Sequence, residues 1–172
     1  MQISDFKGRL GAGGARPNQF RVLLAFPGFV TAADPSYSVL VSGAALPAST
    51  VNPAIIQYRG REIKLAGERI FDPWTITVVN DTENSLRKPF EDWMDGMNKK
   101  SDNGAVALRP ADYQTELVVE HLDRNDEVLR HGTYTLEEAF PINMSEIALQ
   151  YAQNDIIEEF TVTFQYQAYN VV

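Results

Sequence analysis

The residues that could carry chemistry are few, and the first to consider are the two histidines, His121 and His131. They lie at similar distances from a turn-forming acidic segment, residues 123–126, so on paired strands their imidazoles could come close together. Two imidazoles could then bind a metal ion. No third ligand with suitable spacing is evident, which favours solvated or locally hydrogen-bonded histidines over a metal site.

Other catalytic patterns are also missing from the sequence. There is no cysteine, so thiolate nucleophiles, thiolate metal ligands and disulfides are excluded. The glycine cluster at Gly11, Gly13 and Gly14 has no strand before it, as a phosphate-binding loop would require. Glu158 and Glu159 are adjacent, so on a strand they would point to opposite faces, whereas a catalytic pair must share a cleft. We therefore expect no enzymatic activity, no cofactor and no bound metal.

The length and net charge of the chain bear on whether it binds nucleic acid, enters a membrane or contains more than one domain. The chain has 172 residues and a formal net charge of −8, which argues against a surface that binds nucleic acid by neutralising phosphates. No apolar run approaches the roughly 20 residues needed to span a bilayer, and residues 1–6 lack the apolar core of a secretory signal, so we expect a cytoplasmic chain without membrane insertion. We expect one domain over residues 1–172, with a glycine-rich N-terminal arm at 1–19.

Two stretches combine a dry face with a polar face that carries no charge. In the first, Trp74, Ile76 and Val78 alternate with two threonines, which predicts a half-buried strand. The second, residues 160–167, repeats this design near the end of the chain. The side chains on the two polar faces are Thr75, Thr77, Thr161, Thr163, Gln165 and Gln167. Such a sheet suits either a monomeric sandwich or a wall that faces an enclosed channel.

The remaining pattern predicts a mainly β, antiparallel chain with one helix. Leu86, Phe90, Trp93, Met94 and Met97 share one helical face, so we expect a flanking helix over about residues 84–98. Alternation or β-rich composition predicts further strands at 20–26, 37–41, 62–66, 115–122, 127–136 and 147–151. The segment 43–53 is expected to be extended and well packed, and residues 139–143 to interrupt the strands.

Two segments could contact other copies. The turn at Arg59, Gly60 and Arg61 is typical of a solvated hairpin. In the arm, Ile3, Phe6 and Leu10 are spaced for one side of a short helical turn, which fits either a loose terminus or an arm that docks on another subunit.

Between residues 15 and 169, a set of short sequence motifs follows one another in the order that a known family shows. They include Ala15-Arg16-Pro17-Asn18-Gln19-Phe20, Ala45-Leu46-Pro47-Ala48, Ala66-Gly67-Glu68-Arg69-Ile70-Phe71-Asp72-Pro73-Trp74-Thr75-Ile76-Thr77-Val78, Phe90-Glu91-Asp92-Trp93, Pro110-Ala111-Asp112-Tyr113, Phe140-Pro141-Ile142-Asn143, Glu146-Ile147-Ala148-Leu149 and Phe160-Thr161-Val162-Thr163. Together they resemble the tail tube protein of contractile-tailed, T4-like bacteriophages, in the same superfamily as type VI secretion and tailocin tube proteins.

The resemblance implies an antiparallel β-barrel or sandwich whose strands are shared with neighbours in a ring. It implies a homohexamer that stacks into a hollow tube in the virion tail, assembled in the host cytoplasm. The implied partners are a contractile sheath protein, baseplate and tail-completion proteins, a tape-measure protein in the lumen, and DNA that passes through without specific binding. By the same resemblance residues 48–68 reach adjacent copies, and residues 27–36 are longer than expected and could project outward.

These expectations assign candidate positions and leave alternatives. The neutral polar side chains named above are candidates for the lumen, and the candidate inter-subunit residues are Phe6, Leu10, Ile55, Ile56, Tyr58, Arg59 and Arg61. The alternatives are a tube protein of a phage-derived injection or secretion machine, a free β-barrel binding module, and an enzyme.

Overall fold

The computed structural model describes residues 2–10, 14–31, 34–152 and 154–172. Gly11 and Gly13 of the glycine-rich arm, and residues 32–33 of the 27–36 segment, lie outside the described residues. The described chain forms three α-helices and nine strands. These are α1 (Ile3–Arg9), β1 (Phe20–Leu23), β2 (Val41–Ala44), β3 (Ser49–Tyr58), β4 (Arg61–Phe71), β5 (Trp74–Val79), α2 (Arg87–Met97), α3 (Pro110–Tyr113), β6 (Thr115–Leu122), β7 (Val128–Met144), β8 (Glu159–Gln165) and β9 (Ala168–Val171).

Seven strands form one antiparallel sheet and the other two form a separate hairpin. The order in the large sheet is β1-β6-β7-β8-β5-β2, with β9 also paired to β7, while β3 pairs only with β4. Strand β7 is 17 residues long and belongs to both halves of the sheet: its first part pairs with β6 and β9 and its last part with β8. The predicted mainly β, antiparallel fold is confirmed. The end strands β1 and β2 do not pair with each other in the described chain, so one copy forms a sandwich rather than a closed barrel.

The core forms where both halves of the sheet meet α2. Ile76 and Val162 from one half, and Leu117 and Leu136 from the other, are fully buried in a single cluster with Trp93 of the helix. The alternation that predicts dry faces on β5 and β8 is confirmed, because every second side chain of both strands is buried. Burial of each large apolar side chain stabilises the fold by about 1.5–3 kcal/mol, so this cluster supplies much of the driving force.

Helix α2 lies within the predicted segment and buries the predicted face. Its first helical residue is Arg87 rather than residue 84. The preceding turn is held by Asp81, whose carboxylate accepts hydrogen bonds from the Ser85 hydroxyl (2.5 Å) and the Ser85 backbone N–H (2.7 Å). These two bonds, the hydroxyl first, lower the pKa of Asp81. Pro89 lies in the first turn, where its missing donor has no intrahelical partner to lose.

Four local predictions are wrong. The pattern predicts one flanking helix, whereas α3 and a 3-10 turn (Pro35–Leu40) are additional; α1 contains the short helical turn expected in the arm. That turn replaces most of the strand predicted at 37–41, because Asp34 caps the Ser36 N–H and Pro35 follows at the first helical position. The interruption predicted at 139–143 is absent, because β7 continues through Pro141 where it pairs on one side only and tolerates a missing donor. The strand predicted at 147–151 is an exposed, irregular segment.

The segment 27–36 does not simply project outward in its described part. Pro27 and Val30 are buried, and the ring of Phe29 lies directly over Gly96 of α2. A Cβ added at Gly96 would come within 3.0 Å of three Phe29 ring carbons, so only glycine permits this contact.

We therefore expect Gly96→Ala to expel Phe29 and to lower stability by about 1–3 kcal/mol, although alanine alone favours a helix over glycine. Equilibrium urea denaturation of the two proteins measures this difference. Gly8→Ala in α1, where an added Cβ meets nothing within 4 Å, is the matched control and is expected to leave stability unchanged or slightly raised. A stabilised Gly96→Ala protein would contradict the packing of Phe29 on α2.

Candidate functional site

The two stretches with neutral polar faces lie side by side in the structure. Strands β5 and β8 pair antiparallel, with Thr75 opposite Thr163 and Thr77 opposite Thr161. The Thr75 and Thr163 hydroxyls share a hydrogen bond of 2.9 Å. With Gln165, these side chains form one continuous surface opposite the core, which we call the threonine face. Gln167 lies beyond the end of β8, where its backbone N–H donates to the Glu137 carbonyl oxygen.

The threonine face offers hydroxyls and amides but no cation. Asn143 of β7 flanks Thr163 in the pairing register, and β2 contributes Gly43 opposite Thr77. The nearest charge along β8 is Glu159 at the end of the strand, which accepts a hydrogen bond of 3.3 Å from the Ser42 hydroxyl. Without an arginine or lysine, this surface has nothing to bind phosphate as an ion pair.

The layer that carries the threonine face has two open edges. It consists of four strands in the order β2, β5, β8 and the last residues of β7, Phe140 to Met144. In the described chain, no strand pairs with the outer side of β2 or with the outer side of β7 at these residues. Open edges present unpaired backbone donors and acceptors, so they are ready to pair with another chain.

The β3–β4 hairpin leaves this layer as a long exposed arm. All residues from 50 to 70 are exposed. Arg59 and Gly60 both have positive φ angles, +49° and +78°, as a two-residue turn of the hairpin-favouring type requires. The guanidinium carbon of Arg59 lies 5.4 Å from the centre of the Tyr58 ring. The hairpin turn expected at residues 59–61 is therefore present, but the good packing expected of segment 43–53 does not extend into β3.

The register of the hairpin gives it one apolar face. Directly paired residues share a face, and the pairs are Ala54 with Leu65, Ile56 with Ile63 and Tyr58 with Arg61. The other face carries Ile55 beside Lys64 and a hydrogen bond of 3.0 Å between Gln57 and Glu62. The sequence prediction grouped Ile55 with Ile56 and Tyr58, but the structure places Ile55 on the opposite face. We call the surface formed by Ala54, Ile56, Tyr58, Ile63 and Leu65 the hairpin apolar face.

The base of the hairpin is fixed by aromatic and hydrogen-bond contacts. The ring of Phe71 lies 5.8 Å from that of Tyr166 and 5.6 Å from that of Tyr169. The Tyr166 hydroxyl donates to the Ala48 carbonyl oxygen at 3.2 Å, and burial raises the pKa of this hydroxyl. The hairpin thus projects from a rigid base, which suits it to reach a neighbouring molecule.

The structure also shows where the apolar residues of the N-terminal arm and the two histidines lie. Phe6 and Leu10 of the α1 region are exposed apolar side chains without a core contact, as a docking arm or a loose terminus would present. A ring nitrogen of His121 lies 3.0 Å from the Arg16 carbonyl oxygen, while His131 is exposed. In the described part of the chain, no three His, Cys, Asp or Glu residues are grouped to hold a metal ion. None of the described helices is long and apolar enough to cross a membrane.

Comparison with known proteins identifies the family. The family model described as phage tail tube protein matches residues 15–172. The chain belongs to the phage tail tube protein family. The tail tube protein of Serratia phage KSP90 is 30% identical over 168 residues, which cover 95% of this chain and 93% of that protein. The tail tube protein of Enterobacteria phage T4 is 30% identical over 149 residues, 87% of this chain and 86% of that protein.

The fold of this tail tube family member is shared more widely. A chain in the sheath-tube complex of an extracellular contractile injection system, in its extended state, superposes with a TM-score of 0.59 at 13% identity, covering 100% of this chain and 99% of that one. The family resemblance seen in the sequence blocks is thereby confirmed, and the fold is shared with this injection-system chain.

Sequence reasoning missed the strand edges and the hairpin apolar face. The open edges depend on which strands pair, which no local pattern reveals. The apolar face was accessible in principle, because Ala54, Ile56 and Tyr58 alternate along β3 and Ile63 and Leu65 alternate along β4. Without the pairing register of β3 and β4, the sequence does not show that the apolar residues of the two strands lie on the same face of the hairpin.

Proposed function

We propose that this chain is the structural subunit of a hollow tail tube, in which six copies form a ring and rings stack head to tail. The observation that carries this proposal is the four-stranded layer with two open edges. If β2 of one copy pairs with the end of β7 in the next, both open edges of this layer are satisfied all round the ring. The liability of an exposed edge then becomes the means of assembly.

The dimensions of such a ring suit DNA. Six copies of four strands give about 24 strands, and at about 4.8 Å between strands the circumference is about 115 Å. This corresponds to a backbone diameter of roughly 37 Å, which strand tilt widens further. A lumen of this width admits a DNA duplex even after the side chains are added.

The threonine face is the proposed wall of the lumen. Thr75, Thr77, Thr161, Thr163 and Gln165 present no cation, and each copy carries a net charge of −8, so phosphate meets repulsion rather than binding. Gln167 continues this wall past the end of β8. DNA is then expected to slide through without specific contacts.

The same proposal assigns partners and location. A sheath protein surrounds the tube, baseplate and tail-completion proteins close its ends, and a tape-measure protein occupies its lumen before DNA passes. The tube is part of the virion and is assembled in the host cytoplasm. The subunit acts mechanically and not as an enzyme. Contacts between copies are made by Phe6, Leu10, Ile56, Tyr58, Arg59 and Arg61, whereas Ile55 lies on the opposite face of the hairpin. The similarity to tail tube proteins of phages supports these assignments.

A tube in an injection machine without DNA is the second candidate function. The fold shared with the injection-system chain favours it, because the same wall would pass a protein cargo. The two phage relatives at 30% identity favour DNA. The genes beside this one distinguish the two, since capsid and packaging genes accompany only a phage tail.

Replacing Thr163 by lysine tests whether the threonine face lines the lumen. We expect Thr163→Lys tubes to assemble normally but to eject DNA at least tenfold more slowly, because each ring then carries six cations that bind passing phosphates. The measurement is DNA release from phage particles that carry the variant subunit, and added salt is expected to restore part of the rate.

Thr135→Lys is the matched control. Thr135 lies on β7 with its side chain on the outer surface of the other half of the sheet, opposite Val118 and Asn170. This variant adds the same charge outside the proposed lumen and is expected to eject at the parent rate. Unimpaired ejection from Thr163→Lys tubes would overturn the assignment of the threonine face to the lumen.

A further inference from the structure

The open edge of β7 is the continuation of the edge that pairs with β6. Strand β6 occupies this side of β7 up to the pair of Thr115 with Ala139, while β9 and β8 follow one another along the opposite side. From Phe140 to Met144, no strand of the described chain lies on the β6 side. A single edge is therefore closed by the chain itself along one part and left open along the other.

The backbone of Pro141 faces the open side of β7. In an antiparallel ladder, residues that exchange hydrogen bonds with a neighbouring strand alternate with residues whose backbone groups point away from it. The Asn80 N–H donates to the Glu158 carbonyl oxygen (2.8 Å), so every second residue from Glu158 onwards, including Phe164, directs its backbone groups to β5. Pro141 pairs with Phe164, so its own carbonyl and nitrogen point away from β8. Because proline has no N–H, the open edge has an acceptor at this position but no donor.

The chain also removes the partner that Pro141 would have had on β6. If β6 began earlier, in the register of Thr115 with Ala139, Tyr113 would come opposite Pro141. Instead, Tyr113 belongs to helix α3, and its carbonyl oxygen accepts a hydrogen bond of 2.7 Å from the Trp93 indole N–H. The missing donor on β7 and the occupied acceptor before β6 stop the same ladder at the same point.

Strand β2 of a neighbouring copy fits the stretch that remains. Strands β7, β8, β5 and β2 are antiparallel in turn, so β2 of one copy would run antiparallel to β7 of the next. Met144 pairs with Val162, which faces β5, so the Met144 N–H and carbonyl are turned to the open edge. Ala44 pairs with Ile76, which faces β8, so Ala44 offers a donor and an acceptor on the outer side of β2. With only four residues, β2 can pair with this stretch without reaching the part of the edge that β6 occupies.

We propose that Pro141 divides this edge between the chain's own β6 and the β2 strand of the neighbouring copy in the ring. The inference rests on the proposed function and deepens it, because it names the residue that fixes where the ring contact begins. A strand that slipped by one residue along an open edge would turn the wrong side chains to the lumen. A position without a donor gives neither β6 nor β2 a bond for crossing it, so one register, and with it one angle between copies, is favoured.

Replacing Pro141 by valine restores a donor at the dividing position with a residue that suits a strand. We expect the Pro141→Val subunit to fold but to give at least about fivefold fewer closed rings than the parent, because one added backbone hydrogen bond lets a second register compete. Negative-stain electron microscopy counts closed rings against open arcs and irregular clusters. Thermal melting of the unassembled subunit checks the fold.

Replacing Met144 by proline is the complementary change. It removes the outward donor from the open stretch, while the neighbouring residues that bond to β8 keep theirs. We expect folded Met144→Pro subunits that form no closed rings. Pro17→Val is the matched control for the loss of a proline, since Pro17 is exposed and lies before β1, outside both edges of the layer. This control is expected to form rings at the parent yield.

Hydrogen exchange of the parent gives a readout at the edge itself. We expect the Met144 amide to exchange at least about tenfold more slowly in assembled rings than in the unassembled subunit, because only assembly supplies its acceptor.

The outcomes separate this inference from the proposed tube. Closed rings at the parent yield from Pro141→Val or from Met144→Pro would overturn the division of the edge and leave the tube intact, as would a Met144 amide equally exposed before and after assembly. If Pro141→Val fails to fold, Met144→Pro and the exchange measurement decide. A parent chain that forms no rings would overturn the proposed function, and the role of Pro141 with it.

Discussion

Replacing both Ile56 and Ile63 by aspartate is expected to leave a folded chain that no longer grows into tubes. The two side chains lie opposite each other on paired strands, are about half exposed in one copy and lie outside the core cluster. Burial of an isoleucine against a partner stabilises by about 1.5–3 kcal/mol, so losing two such burials raises the concentration needed for assembly by at least about 100-fold. Sedimentation at increasing concentration measures this threshold, and thermal melting checks the fold.

The matched control adds the same two carboxylates to the other face of the hairpin. In the variant Ile55→Asp with Ala66→Asp, the new aspartate at 55 lies directly opposite Lys64. We expect this protein to assemble within about fivefold of the parent threshold, since pairs of this kind contribute at most about 1 kcal/mol. Equal loss of assembly in both variants would show that added charge, and not the apolar face, prevents growth.

Replacing Phe164 by alanine is expected to destabilise the subunit by about 3–5 kcal/mol. Phe164 is fully buried, and its ring centre lies 5.8 Å from those of Trp74 and Phe90 and 6.1 Å from that of Trp93. Removal of the ring leaves a cavity where β5, β8 and α2 meet, and large aromatic truncations in such cores are the most destabilising of their kind. A loss of this size is a large share of a typical stability of about 5–15 kcal/mol.

Urea denaturation of the unassembled subunit measures the effect, since assembly would add stability of its own. The control is Thr163→Ala, one residue earlier on β8 but on the opposite face, which loses one exposed hydroxyl contact to Thr75. We expect this variant to lose no more than about 1 kcal/mol. A Phe164→Ala protein as stable as the control would contradict the position of Phe164 at the centre of the core.

The sequence pattern correctly predicts the buried core residues of β5, β8 and α2. Phe160, Val162 and Phe164, with the matching residues of β5, are buried as their alternation predicts, and α2 buries Phe90 and Trp93. These elements are readable because each has one side against the core and one side towards water, so a period of two or 3.6 residues appears directly in the residue types.

The predictions that failed concern segments without such a partner inside the chain. Residues 147–151 alternate like a strand, yet no strand lies beside them, so the pattern leads only to exposed apolar side chains. The hairpin is a second segment of this kind: Ile56 and Tyr58 are expected at contacts between copies, but the sequence does not show that they share a face with Ile63 and Leu65. Both patterns become intelligible if the missing partner is another copy of the chain.

The strand register is the other information that local patterns lack. Thr75 and Thr163 are 88 residues apart in the sequence, and their shared hydrogen bond depends on β5 and β8 being neighbours. The continuation of β7 through Pro141 depends similarly on an edge that is open at that point. For this reason the threonine residues could be named from the sequence, whereas the surface they build together could not be located.

Electron microscopy of the purified protein shows directly whether the chain assembles into six-fold rings and hollow tubes. The full chain is concentrated stepwise and viewed in negative stain, with the Ile56→Asp and Ile63→Asp double variant beside it. We expect rings with six-fold symmetry and a central hole, which lengthen into hollow tubes in the parent but remain single rings or monomers in the variant. A parent protein that stays a compact monomer at every concentration, or that forms solid particles without a hole, would contradict the proposed tube.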